Sequence, residues 1–344
     1  MTVRLKDIAA RVGMSVPTVS RALAGHEDIN FQTRQTIQQV AREMGYVPNT
    51  FARKLQSQLA GAIGLVLPFA ADLRVSDPSF SQLLAGLVAH TSELGVELTV
   101  SSTNERNEHD VYLDLIRSRR VDGFIVVRVQ QNDPRIRLLQ AHDFPFVAIG
   151  HTEAERPFAY VDEDSETAVR QLVDHLIGLG HTRFGCISEP APFAKGFRRV
   201  QGLLAALQVH GLSMQPDQIA EVSYRQEAGG EAMQRLLALP KPPTAVFATN
   251  DLLAIGALQM AKQQGLQVGK QISIAGFDDI VLASLVTPPL TTVRLPFQQM
   301  GQQLAQLLIN QINKDEQSQP ELEHRIIHPK LMIRQSTGRL QNTV

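Results

Sequence analysis

A chain of 344 residues is longer than one typical domain, so its length predicts two or three domains. Its hydrophobic fraction of 43% is ample for a sizeable core, no apolar run is long enough to span a membrane, and the single Cys186 excludes internal disulfides. The net charge of −1 is unevenly placed, because residues 1–60 hold eight Lys/Arg against four Asp/Glu and residues 61–344 hold 25 against 30.

The first 25 residues have the pattern of a helix-turn-helix. Leu5 to Val12 place their apolar side chains at helical spacing, and Gly13 is the residue best suited to end that helix. Ser15 is a good N-cap for a second helix, in whose first turn Pro17 is tolerated. Two helices joined by so short a turn, on a basic segment, predict a DNA-binding module, although an ordinary helical hairpin shares the pattern.

A third helix is predicted from Asn30, as its cap, to Gly45, and the motif Tyr46-Val47-Pro48-Asn49 follows it. This motif and the preceding run KDIAARVGMSVPTVSRAL resemble the lac repressor family of bacterial transcription regulators, and the resemblance extends from about Leu5 to Thr337. It implies a short hinge helix that forms on operator DNA and inserts a leucine into the minor groove. The sequence departs from the family at Arg4, where a capping Ser or Thr is usual, at a cost of about 1 kcal/mol that Asp7 partly offsets.

From Gly61 onward, buried strands alternate with helices. Strands are predicted near 62–67, 96–100, 121–127 and 144–149 in one half, and near 184–188, 219–224, 244–248 and 272–277 in another. The fold class is therefore an α/β core of two doubly wound lobes, similar to the periplasmic-binding-protein type I fold, preceded by an all-α headpiece. The predicted domains are a headpiece (1–48), a hinge (49–60), and a core (61–340) with an N-lobe of about 61–161 plus 291–321 and a C-lobe of about 162–290 plus 322–340.

The resemblance assigns the DNA contacts. Val16 and Pro17 stand at the two base-facing positions, and Arg21 beside them is the polar reader, whose fork suits guanine. Leu55 is the candidate minor-groove wedge, with packing against the core as its alternative. The full predicted set is Ser15, Val16, Pro17, Thr18, Ser20, Arg21, Asn30, Asn49, Arg53, Lys54 and Leu55.

The resemblance also assigns an effector site at the ends of the core strands. Arg199, Asn250 and Asp278 match the family's polar ligand contacts, and Phe80 and Tyr224 match its aromatic ones. Arg128 and His151 are added because each follows a predicted strand. This set suits a sugar, since the polar groups pair with hydroxyls and the rings cover an apolar face. Each residue also has a plain alternative: Phe80 in the core, Asn250 as a helix cap, Arg199 as a surface charge.

Enzyme classes find little support. The sequence has no G-x-x-x-x-G-K-[ST] loop, no dinucleotide motif after the first strand, no G-x-S-x-G, and no helical His pair for zinc. A transport-type sugar-binding protein would share residues 61–340 but would need a signal peptide and leaves the first 60 residues unexplained. We therefore expect a cytoplasmic, nucleoid-associated homodimer that binds palindromic operator DNA and a small sugar, with no cofactor, metal or membrane. The similarity is to members that regulate α-glucoside and α-galactoside use, and a purine effector is disfavoured by Phe193 and Lys195.

Overall fold

The structure is a computed structural model that describes residues 3–24, 28–46, 59–68, 77–103, 108–313 and 323–341. The chain divides into two compact units, residues 1–59 and residues 60–344. Each unit has its own hydrophobic core. None of the helices in the described ranges combines the length and apolar character that a membrane crossing requires.

The described part of the first unit contains three helices, α1 (Leu5–Val12), α2 (Val16–Ala24) and α3 (Phe31–Glu43). Gly13 ends α1 in the left-handed conformation, with φ of 67°, and its N–H donates to the carbonyl of Ala9. The helices bury a small apolar cluster whose fully enclosed members are Ile8, Val19, Ala22 and Ile37. The predicted helix-turn-helix headpiece is confirmed.

The second unit alternates strands and helices along the chain. Its strands are β1 (Ala62–Pro68), β2 (Glu97–Thr103), β3 (Gly123–Val126), β4 (Phe146–Ile149), β5 (Ala159–Glu163), β6 (Phe184–Ser188), β7 (Ile219–Glu221), β8 (Ala245–Ala248), β9 (Ser273–Ala275), β10 (Thr292–Arg294), β11 (His324–Ile327) and β12 (Lys330–Met332). Its helices are α4 (Pro78–Glu93), α5 (Glu108–Arg117), α6 (Pro134–Ala141), α7 (Ser165–Gly178), α8 (Ala194–Val209), α9 (Gln226–Leu237), α10 (Asp251–Gln263), α11 (Val281–Leu285) and α12 (Phe297–Ile312).

The N-lobe is built on a six-stranded parallel sheet in the order β11-β5-β4-β3-β1-β2. Helices α4 and α12 cover one face, and α5 and α6 cover the other. Two glycines let α4 and α12 come together, because a Cβ on Gly86 would overlap the carbonyl of Gln298 and one on Gly301 would overlap that of Leu83. These helices are therefore packed backbone to backbone.

The C-lobe is built on a four-stranded parallel sheet in the order β7-β6-β8-β9. Helices α7 and α8 pack on one face, and α9 and α10 pack on the other. The antiparallel pair β10-β12 lies beside it, since Thr291 bridges to Ala275 at the end of β9. The predicted arrangement of two doubly wound lobes is confirmed.

Two segments lie in a different lobe from the one expected. Strand β11 pairs with β5 in the N-lobe sheet, whereas residues 322–340 are assigned to the C-lobe in the sequence analysis. Strand β10 lies beside the C-lobe sheet, whereas 291–321 are assigned to the N-lobe. Strand β5 itself is not among the predicted strands. Strands this short pair with whichever sheet has a free edge beside them. That pairing depends on tertiary contacts, which the local sequence pattern does not reveal.

Candidate functional site

Helix α2 presents the predicted DNA-reading residues on its outer face. Val16 and Pro17 are exposed, while Val19 on the opposite side is fully buried. Ser15 caps the helix, because its Oγ accepts the N–H of Thr18 at 3.2 Å, and the hydroxyls of Ser15 and Thr18 are 2.7 Å apart. The apolar tip of this face can contact a thymine methyl group or exclude a base by shape, but it donates no hydrogen bond.

Arg21 is held by a partner that the sequence analysis did not consider. Its Nη1 lies 2.8 Å from Oδ2 of Asp28, and both side chains are about half exposed, at 52%. Exposed pairs of this kind are worth about 1 kcal/mol or less, so a guanine edge that offers two acceptors can displace the carboxylate. For Arg21 to contact a base as predicted, its guanidinium has to leave Asp28.

The remaining predicted DNA contacts divide into two groups. Ser20 is half-buried, and Asn30 caps α3 by accepting the N–H of Gln32 at 2.8 Å. The side chain of Asn30 is exposed and has a structural role at this helix end. The hinge residues lie outside the described residues: Asn49, Arg53, Lys54 and Leu55.

In the core, a cavity of about 100 Å³ lies between the lobes. It forms where loops leave the carboxyl ends of the strands of both sheets, the usual position of a ligand in such folds. Five of the seven predicted effector residues line it, together with eight others. The lining residues are Asp77, Ser79, Phe80, Leu83, Val127, Arg128, Ile149, Glu189, Lys195, Arg199, Tyr224, Asp278 and Phe297.

Arg199 is the centre of the polar network at this cavity, and its side chain is only 3% exposed. Its Nη2 lies 2.7 Å from Oε1 of Glu163 and 3.2 Å from Oδ1 of Asp278, while its Nη1 donates to the carbonyl of Thr249 at 2.5 Å. The guanidinium stacks on Phe277 at 3.7 Å. Burial lowers the pKa of Arg199, but the carboxylates outweigh this and hold the pKa above its ordinary value, so the charge is permanent.

Asp278 has an unusual backbone and an unusual acidity. Its φ of 108° lies in the region that non-glycine residues rarely adopt, and its N–H and carbonyl are both bonded, to Val293 and Leu295. Burial raises the pKa of its carboxyl to about 7, more than Arg199 and Lys195 lower it. At neutral pH the group therefore exists as a mixture of donor and acceptor forms.

The sequence analysis did not identify Glu189 as a cavity residue or Glu163 as the partner of Arg199, and it mentions Lys195 only as a mismatch with purine-binding relatives. Glu163 is fully buried, and the charges of Lys195, 3.1 Å away, and of Arg199 lower its pKa against the effect of burial. Glu189 lies 3.3 Å from Arg128, yet burial raises its pKa. Glu189 directly follows the predicted strand β6, which was an available signal, whereas Glu163 ends β5, a strand that was not predicted.

Arg128 joins the two lobes at the mouth of the cavity. Its guanidinium lies 4.1 Å from the ring of Phe193 and 5.5 Å from that of Tyr224. Beside it, the backbones of the two lobes meet, because Gln130 and Phe193 form an antiparallel bridge. The lobes are thus in direct contact on this side.

Two predicted effector residues lie away from the cavity lining. Asn250 caps α10 by accepting the N–H of Leu253 at 2.9 Å, the helix-cap role that the sequence analysis gave as its alternative. Its Nδ2 is buried and has no hydrogen-bond partner among the described residues. His151 points to the outer side, where its Nδ1 lies 2.6 Å from Oδ2 of the buried Asp162. Strand alternation explains this, since Asp162 and Glu163 face opposite sides of β5.

Arg198 completes this outer cluster. It donates from Nη2 to Asp162 at 2.7 Å and from Nη1 to the carbonyl of His151 at 2.6 Å. Consecutive acids on β5 therefore pair with consecutive arginines on α8, one pair outside the cavity and one at it. The described residues contain no group of His, Cys, Asp and Glu side chains that could hold a metal ion.

Comparison with known proteins gives a consistent result. Residues 4–49 match the family described as bacterial regulatory proteins, lacI family, and residues 60–331 match periplasmic binding proteins and sugar binding domain of LacI family. The regulator AglR of Rhizobium meliloti is 35% identical, with 98% of this chain and 95% of AglR covered. The repressor CytR of Escherichia coli K12 is 33% identical, with 98% and 96% covered.

Solved structures agree over the whole chain. A complex of the transcriptional regulator CelR with cellobiose superposes with a TM-score of 0.75 at 27% identity, covering 97% of this chain and 99% of that one. The lac repressor dimer bound to operator and the anti-inducer ONPF gives a TM-score of 0.82 at 25% identity, covering 98% and 100%. Both the headpiece and the core therefore have counterparts in the same proteins.

Proposed function

We propose that this chain, which belongs to the LacI family of bacterial transcription regulators, acts as a homodimeric repressor of carbohydrate-utilisation genes. Its operator affinity is controlled by a small sugar bound between the lobes. Members of this family are DNA-binding regulators and not enzymes. The protein works in the cytoplasm, at the nucleoid, where operator DNA is found.

The observation that carries the sugar assignment is the composition of the cavity. Asp278 and Glu189 offer carboxyl groups, Arg199 and Lys195 offer N–H donors, and Phe80 offers an apolar ring. Alternating donors and acceptors beside an aromatic ring are what a polyhydroxylated ring requires. CelR, a relative of known structure, was solved as a complex with cellobiose, which supports an oligosaccharide or glycoside as the class of ligand.

The DNA assignment rests on α2. Two copies of this helix, related by the twofold axis of a dimer, enter successive major grooves of a palindromic site. Val16 and Pro17 contact base edges by shape, Arg21 donates to one guanine per half-site, and Ser15 and Thr18 contact phosphates. The lac repressor was solved as a dimer on its operator, which supports the same arrangement here.

The two functions are coupled through the lobe arrangement. Pockets for small ligands commonly measure about 300–1,000 Å³, so the cavity of about 100 Å³ has to widen to admit a sugar. A sugar changes operator affinity only by binding one arrangement of the lobes more tightly than another. The chain of the N-lobe continues into the hinge, so the N-lobe transmits the change of lobe arrangement to the DNA-binding unit.

The test is operator binding during a sugar titration. An operator selected in vitro by the wild-type protein is labelled, and fluorescence anisotropy reports its affinity with a panel of mono- and disaccharides. We expect Phe80→Ala to bind the operator like wild type while the response to the active sugar is lost. Exposed Arg235 gives the control, since Arg235→Gln should keep both. A Phe80 variant with an unchanged sugar response would refute the site.

A further inference from the structure

We infer that the loop between α5 and β3 contacts the phosphate backbone of the operator. This basic loop consists of residues 117–120, Arg-Ser-Arg-Arg, of which the first is also the last residue of α5, and all four residues are exposed. The inference rests on the proposed function, since it concerns the same DNA. It adds a contact surface on the core unit, outside the helix-turn-helix and the hinge.

The charge of the basic loop is unlike that of its surroundings. The core from residue 61 onward carries five more acids than bases, yet three arginines stand within four positions here. Arg117, Arg119 and Arg120 form no ion pair with any residue that the structure describes. In the loops that precede the neighbouring strands β4 and β5, by contrast, Arg156 forms an ion pair with Asp143 at 2.9 Å. Three unmatched guanidiniums make an attractive surface for anions.

Arg119 occupies a backbone position that suits another residue type. Its φ is 48°, in the left-handed region where glycine or asparagine normally ends a helix. Its N–H donates to the carbonyl of Ile116, and the N–H of Arg120 donates to that of Leu115, so the turn is well formed. An arginine is less favourable than glycine in this backbone conformation.

The basic loop is fixed at the point where the chain enters the core from the DNA-binding unit. Strand β3 pairs directly with β1, the first strand of the core. Asp122, next to the loop, accepts backbone N–H groups from Ala60 and Gly61 at 2.6 Å and from Ala62 at 3.2 Å. In return, its own N–H donates to the carbonyl of Ala62 at 2.7 Å. The loop and the incoming chain are therefore tied together.

The length of chain between the two units limits how far the DNA can be. Tyr46 is the last described residue after α3, and Leu59 is the first described residue before β1. Thirteen residues, even fully extended, span at most about 45 Å. The entry point of the core, with the arginines beside it, is therefore within reach of a duplex that the first unit binds, up to that maximum span. Arginine binds phosphate through two parallel N–H donors, whatever the base sequence.

The experiment is the salt dependence of operator binding by the full-length protein. The test variant combines Arg117→Gln, Arg119→Gly and Arg120→Gln, and the control variant combines Arg137→Gln, Arg170→Gln and Arg235→Gln, which are exposed elsewhere. Each phosphate contact contributes about 0.9 to the slope of log K against log salt. Loss of one contact per half-site lowers the slope by about 1.8. When the salt concentration rises from about 50 to about 200 mM, wild type should therefore lose about tenfold more operator affinity than the test variant loses.

Three outcomes decide the matter. A lower slope for the test variant alone, on the selected operator and on random-sequence duplex alike, supports the inference. Equal slopes for wild type and the test variant, or equal reductions in the test and control variants, overturn it while leaving the proposed function intact. A wild-type protein that binds no DNA specifically refutes the proposed function and this inference with it.

A second measurement locates the contact. Operators that carry a neutral methylphosphonate at one position at a time are bound by wild type and by the test variant. The positions contacted by the basic loop should weaken wild type while leaving the test variant unaffected. If every position weakens the two proteins by the same factor, the loop does not touch the backbone.

Discussion

Asp278→Asn should make the protein more stable at neutral and alkaline pH while weakening sugar binding. The carboxyl of Asp278 has an ordinary pKa of 3.8, which burial raises to about 7. Between these values the folded protein retains a proton that the unfolded chain has released. The free energy of unfolding therefore falls as the pH rises through this window.

The size of the effect follows from the shift. A difference of about 3 pH units at 1.36 kcal/mol each corresponds to about 4 kcal/mol of lost stability above pH 7, and to none below the unfolded-state value. Asparagine has the shape of the protonated carboxyl, carries no charge to desolvate and tolerates a positive φ. The variant should thus match wild type near pH 4 and exceed it increasingly up to about pH 7.

The assay is urea unfolding of wild type and variant at several pH values between about 4 and 8, with Asp217→Asn, an exposed carboxyl, as the control. The control should show no difference that grows with pH. A stability difference between Asp278→Asn and wild type that is constant with pH, or that favours wild type at high pH, would refute the reasoning. In the same samples, sugar affinity should fall, because a carboxylate acceptor is gone.

Two further predictions concern packing and the DNA face. Gly86→Ala should lower the free energy of unfolding by about 1–3 kcal/mol or more, because the new Cβ overlaps the carbonyl of Gln298. Gly178→Ala, with open space around the new Cβ, should be neutral or stabilising. Equal urea midpoints for the two variants would contradict this. Asp28→Asn should raise operator affinity by up to about fivefold by releasing Arg21 from a pair worth about 1 kcal/mol or less. Arg21→Ala should cost about 1–3 kcal/mol on the operator, and an equal loss on random duplex would show that Arg21 reads no base.

Much of the fold was predictable, because it is expressed in local patterns. The Gly13 turn, the Ser15 cap and the alternation of buried strands with helices each depend on residues close in sequence. What could not be read was the lobe to which β10 and β11 belong. Such strands of three or four residues carry too little pattern, and each pairs with a strand that is not adjacent to it in sequence, β11 with β5 and β10 with β12.

The candidate site was predictable to the extent that it depends on strand ends. Arg128 and Asp278 lie in the loops that follow β3 and β9, and both line the cavity. A position after a strand does not determine which way the side chain points, however. His151 also follows a strand, but its side chain points away from the cavity, to Asp162 on the outer side. Glu163 was missed because its importance comes from its pairing with Arg199, which exists only after the two lobes have packed.

The outer ion pair of Arg198 and Asp162 has a consequence for lobe motion. Asp162 is fully buried, so separating it from Arg198 would leave an uncompensated charge, at a cost of about 3–5 kcal/mol. Asp278, one of the partners of Arg199, in contrast lines a cavity where ligand hydroxyls can take its place. Any change of lobe arrangement is therefore least costly as a rotation about an axis close to Arg198, because such a rotation keeps this ion pair together.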